Sequence, residues 1–138
     1  MLDIGIEGKK LPTLPYLLEA EQYVLASILI DQKAISEVLS VLNPKDFYRD
    51  EHRYIFEAMK MLYQENIPID VITIFEKLKE MKQAEFAGGL SYLTGLFGSI
   101  PNSLNAWYYA KIVREKSLLT HLYHFTLNFL SFLVIFKI

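Results

Sequence analysis

The 138 residues contain no cysteine, which excludes disulfides, thiolate zinc sites and cysteine nucleophiles, so burial alone must hold the fold. A surplus of one charge sign is also missing. Fourteen basic against sixteen acidic residues leave a net charge of -2, which argues against a broad phosphate-binding face, so any contact with DNA is expected to be indirect, through other parts or partners. None of the six glycines stands in a Gly-x-x-x-x-Gly-Lys-Ser/Thr or Gly-x-Gly-x-x-Gly frame, and no Gly-x-Ser-x-Gly elbow occurs. The chain alone is therefore expected to turn over no ATP, to unwind no duplex and to need no cofactor. The N-terminus lacks the basic region, apolar run and cleavage site of a secretory signal, and a cytoplasmic location is expected. The last absence is local: no Asp, Glu, Lys or Arg occurs from Ser117 to Phe136.

What is present reads as helix throughout, and the expected class is all-α. Residues 1–15, punctuated by Gly5, Gly8, Pro12 and Pro15, read as an arm. A head follows over residues 16–99. Leu17, Ala20, Val24 and Ile28 recur as one apolar face of a first helix ending near Asp31. A short second helix over Ala34 to Leu42 stops at Asn43-Pro44, and Pro44 to Arg49 reads as a loop. Asp50 and Asp70 each stand where a cap belongs, ahead of helices carrying Ile55, Ala58, Met59 and Leu62, and then Val71, Ile74, Phe75 and Leu78. Leu25, Ile55, Met59, Phe75 and Leu78 are the expected core. Gly88-Gly89 opens a fifth short helix. With no Pro or Gly after Pro101, residues 100–138 read as one long helix. In it Leu104, Tyr108, Ile112, Leu119 and Leu122 fall within about a quarter turn of one another and form a seam for self-association.

Candidate chemistry is sparse. His52 beside Asp50 and Glu51 could be a base with an orienting carboxylate in a small hydrolase, but capping accounts for acids at a helix start. Glu19 and Glu21, two apart on a helix, point in different directions and cannot act as a pair. His121 and His124 share a helix face without a third ligand, so no metal site is assigned. Trp107, Tyr108 and Tyr109 precede Lys111 and Arg114, yet consecutive helical aromatics diverge by about 100 degrees and cannot form one stacking platform. No catalytic residue is assigned.

Five blocks in order are more informative: Leu17-Leu-Glu-Ala-Glu-Gln-Tyr-Val-Leu; Asp46-Phe-Tyr-Arg with His52 and Ile55-Phe; Pro68-Ile-Asp-Val; Gly88-Gly-Leu-Ser-Tyr-Leu; and Tyr109-Ala-Lys-Ile-Val-Arg-Glu-Lys. From about Leu14 to Leu119 the chain resembles the N-terminal domain of the bacterial replicative DNA helicase, the DnaB family. The resemblance implies a helical head followed by the first arm of a helical hairpin through which members pair. It also implies a collar that receives primase and, in some members, a loader. The ATP-dependent helicase activity of members resides in a further domain. By the family pattern Glu19 and Tyr92 correspond to the primase-facing surface.

After Leu119 the chain departs from that pattern. Members continue with basic and polar residues, turn, and return as a second arm, whereas Thr120 to Phe136 is uncharged and rich in Phe and Leu. The run is long enough to span a bilayer, but Thr120, His121, His124, Asn128 and Ser131 are costly against lipid. A tail-anchored membrane protein is therefore the disfavoured alternative. An altered reading frame or a truncated product would also account for the run. A seam that pairs with a second copy in water is the expectation.

Overall fold

The computed structural model describes residues 15–98 and 105–136. Within them lie six α-helices, a short 3-10 turn and no strand. The arm expected over residues 1–15 falls outside, apart from Pro15.

Helix α1 (Pro15–Ile30) is the centre of the head. Its periodic residues Leu17, Ala20, Val24 and Ile28 are buried as expected, but so are Leu25, Ala26, Ser27 and Leu29. Instead of one apolar face, the second half of α1 is enclosed on nearly every side, because α2, α3, α5 and α6 all pack against it. Helix α2 (Ala34–Leu39) is shorter than its periodicity implies. The Leu42 amide still reaches the Val38 carbonyl at 2.8 Å, so Leu42 keeps its place in the core after the regular helix has ended.

The segment expected as a loop contains a 3-10 turn, Pro44–Asp46, before α3 (Asp50–Gln64). Asp50 is not the cap of α3. It occupies the first helical turn, and Arg49 takes the cap position with an extended backbone, because the Tyr48 and Arg49 amides are both drawn to the Glu21 carboxylate. Asp70 does cap α4 (Val71–Glu80): its carboxylate accepts from the Thr73 amide at 2.8 Å, and Thr73 Oγ1 accepts from the Asp70 amide at 2.9 Å. Asn66, with φ at 58°, ends α3 in a left-handed turn, and the Ile67 amide bonds back to Leu62. Lys77 ties α4 to the end of α3, its Nζ lying 2.9 Å from Glu65 and 3.4 Å from Glu80.

Leu25, Ile55, Met59 and Leu78 are fully buried, whereas Phe75 is only half-buried, with Lys79 Nζ 5.1 Å from its ring centre. Ile74 and the stem of Lys77 occupy the buried side of α4 instead, so its apolar face is rotated toward those residues.

Helix α5 (Gly89–Gly98) packs on α1 and α4. The long helix α6 (Ala106–Phe136) returns across α1, α2 and the 3-10 turn. It docks through Ala106, Ala110, Val113 and Ser117, small residues that let two helices approach closely. The expected seam is a different side of the same helix. Leu104 lies outside the described residues, Tyr108, Leu119 and Leu122 are exposed, and Ile112 is half-buried. Of the three consecutive aromatics, Tyr109 turns inward against Tyr23, with ring centres 5.1 Å apart, while Trp107 stays exposed under Lys111 Nζ at 4.6 Å.

Candidate partner-docking site

Two polar clusters hold the head together, and one of them reaches the surface at Tyr92. The first centres on Glu21, which is fully buried. Its carboxylate accepts from the Tyr48 amide at 2.5 Å, from the Arg49 amide at 3.4 Å and from His52 Nδ1 at 2.6 Å. The other ring nitrogen, Nε2, shares a hydrogen bond of 2.6 Å with Tyr92 Oη. The chain Glu21–His52–Tyr92 thus joins α1, α3 and α5. Burial pushes the Tyr92 phenol above its ordinary pKa, so the hydroxyl keeps its proton at neutral pH. Arg49, held by Glu51 at 3.3 Å, lies 5.6 Å from the centre of the half-exposed Tyr92 ring.

The second cluster centres on Asp46, also buried. Its Oδ1 accepts from Arg114 at 3.0 Å and from Ser117 Oγ at 2.7 Å, and its Oδ2 accepts from the Asn43 amide at 2.8 Å. One carboxylate therefore fixes the 3-10 turn and clamps α6 to the head.

These contacts place the residues that the sequence singled out. Glu19 and Glu21 do point apart: Glu19 is exposed, and Glu21 faces inward. The helices carrying Glu19 and Tyr92, α1 and α5, pack together. The hydrolase alternative fails on geometry. His52 has no exposed surface and spends both nitrogens on Glu21 and Tyr92, while Asp50 turns outward to Arg53 at 2.9 Å. The cavity bordering Glu21, Asp46 and His121 holds about 50 Å³, far below the several hundred typical of a substrate pocket. Sequence reasoning missed the roles of Glu21 and Asp46. An acid amid the apolar residues of α1, and the pairing of Asp46 with Arg114 across distant blocks, were the available signals.

The double glycine before α5 has a specific cause. Gly88 has φ at +91°, and a Cβ there would stand 2.7 Å from the Cβ of Tyr92. Gly88→Ala is expected to lose about 1–3 kcal/mol of stability through backbone strain and displacement of Tyr92. Urea unfolding checks this, and an unchanged midpoint would show that the turn relaxes freely.

Buried polar ties beneath a half-exposed aromatic, on an all-helical head with a long projecting helix, define the class of fold. Comparison with known proteins gives the family. Residues 13–115 match the DnaB-like helicase N-terminal domain, and the chain belongs to that family. It is 43% identical over 108 residues to the replicative DNA helicase DnaC of Bacillus subtilis and 41% identical over 108 residues to the replicative DNA helicase DnaB of Geobacillus stearothermophilus. Each alignment covers 78% of this chain and 24% of the relative, so the chain spans about a quarter of the length of these helicases. The solved N-terminal domain of DnaB helicase from Mycobacterium tuberculosis superposes with a TM-score of 0.74 at 40% identity, covering 78% of this chain and 74% of that one. The N-terminal domain from Helicobacter pylori, described with its interactions with primase, gives a TM-score of 0.74 at 27% identity, covering 88% and 97%. The family match ends at residue 115, just before the uncharged run begins at Ser117.

Proposed function

We propose that this chain acts in DNA replication as the oligomerisation and partner-docking domain of a replicative helicase, with primase as its partner and a loader as a second ligand of the same head. The observation that carries the reading is the Tyr92 ring, half-exposed and fixed from beneath by His52 and Glu21. A pre-positioned aromatic with an adjacent cation costs little entropy to bind, which is what a docking hot spot requires. Glu19 supplies an exposed negative charge on the neighbouring helix. Copies associate along Tyr108, Ile112, Leu119 and Leu122 of α6, with Leu104 continuing the same line in sequence. The ATP-driven unwinding belongs to the remaining three quarters of such a helicase.

Titration of primase against the full chain tests the docking surface. Glu19→Lys, on an exposed side chain, is expected to weaken binding about tenfold or more with the thermal midpoint unchanged. Wild-type affinity in that variant would place primase elsewhere on the head.

A further inference from the structure

Beyond Ser117 the helix α6 leaves the head carrying an apolar row that nothing covers. Leu118, Leu122, Phe125, Phe129, Phe132 and Phe136 are each between 48% and 69% exposed. Their successive spacings of four, three, four, three and four residues fill every a and d position of a heptad repeat, with d at Leu118 and a at Leu122. A row of that period drifts only slowly around a helix, so it makes one continuous seam about 27 Å long at 1.5 Å per residue. The Phe132 and Phe136 ring centres lie 4.6 Å apart within it. Carried back toward the head, the same register meets Lys111 at d and Glu115 at a, so the repeat begins where the charges end. It also begins directly after Ser117, the last buried residue of the face that docks on the head.

The polar residues of the run keep clear of this seam. Thr120, His121, His124, Asn128 and Ser131 fall at c, f and g, and none at a or d. Thr126, at e, donates its hydroxyl to the Leu122 carbonyl at 2.8 Å, so the helix itself satisfies it. The other e positions are Leu119 and Leu133, which widen the apolar face on that side. What covers the seam follows from its length and surroundings. Ser117 is bonded to Asp46, and Thr120 and His121 line the small cavity there, so these residues stay with the head. About fifteen residues then remain, about 22 Å, too few for the roughly 30 Å of a bilayer's hydrocarbon layer. A projecting helix with apolar a and d positions is instead complementary to itself, because the knobs of one copy fill the holes between the same residues of another. The repeat lies beyond residue 115, where the match to the helicase family ends.

We propose that the distal part of α6 is a coiled-coil segment whose partner is a second copy of this chain, paired along the heptad seam from Leu118 to Phe136. It rests on the reading that copies associate through α6, and it names a different seam. The line of Tyr108, Ile112, Leu119 and Leu122 is centred about a quarter turn away and has only Leu122 in common with the repeat. Sedimentation equilibrium of the full chain in detergent-free buffer tests the proposal. The wild-type chain should form a discrete oligomer. Phe129→Glu, which sets a charge at an a position in mid-repeat, should raise the dissociation constant at least about hundredfold while the near-ultraviolet circular dichroism of the head is unchanged. Val134→Glu sets the same charge at an f position, 60% exposed, and should change the constant by less than about threefold. Equal losses in these two variants, or none in Phe129→Glu, would overturn the repeat as the pairing surface. If Tyr108→Glu dissociates the chain and Phe129→Glu does not, copies associate along the other line and only the heptad seam is overturned. A wild-type chain that is monomeric, or soluble only in detergent, would overturn both.

Discussion

Phe56→Ala is expected to lower the unfolding free energy by about 3–5 kcal/mol, the largest effect of a single truncation in the head. The Phe56 side chain has no exposed surface, and its ring centre lies 5.0 Å from that of Phe47, which is also buried. Removing it deletes the contact that seats the segment after the 3-10 turn on α3, and the neighbours, fixed by the Asp46 and Glu21 hydrogen bonds, cannot collapse into the space. Phe75→Ala is the internal comparison. Half-buried beneath Lys79, Phe75 should cost about 1–2 kcal/mol, because much of its ring area stays wet in the folded state. Urea midpoints at constant slope measure both. Equal losses would mean that Phe75 is as central as Phe56 and that the buried face of α4 is misassigned.

The second large loss is expected from His52→Ala, at about 3 kcal/mol. The change strips one donor from a buried carboxylate, removes the hydrogen-bond partner of the Tyr92 hydroxyl, and leaves an imidazole-sized void between three helices. Glu21 retains its two backbone donors, which keeps the loss below that of an isolated buried charge. A loss below about 1 kcal/mol in urea unfolding would show that water replaces the ring and that Tyr92 is not held from beneath.

Much of the helical order was legible in the sequence because its signals are local. Asp70 with Thr73 three positions later is a capping pair, Asn66 with Pro68 is a stop, and Gly88 precedes a helix it cannot continue. Periodicity placed Ile55, Met59 and Leu78 inward for the same reason. Periodicity does not say how many neighbours a helix has, and so α1 read as one-sided although four other helices surround it. It also cannot rank two faces of one helix. The strongest apolar stripe of α6, along Tyr108, Leu119 and Leu122, faces solvent, and the weaker stripe of Ala110 and Val113 meets the head because small side chains permit close approach. The site was less legible still. Asp50 and Glu51 adjoin His52 in sequence but pair with Arg53 and Arg49, while the carboxylate that orients His52 is Glu21, thirty-one positions away. Likewise Asp46 and Arg114, sixty-eight positions apart, fall in separate blocks whose common purpose appears only when the chain is folded.

Asp46 has a mechanical consequence. Helix α6 spans 31 residues, about 46 Å, yet the last of its buried residues is Ser117, so well over half of the rod projects past its grip. The molecule is a lever, and the Asp46 carboxylate, bonded to Arg114 and Ser117 at the exit point, is its fulcrum. A sideways load on the distal helix is transmitted to Asp46, then through Phe47 to Tyr48 and Arg49, whose amides cradle Glu21 beneath Tyr92. Whatever grips the far end of the rod therefore pulls on the backbone that shapes the docking face.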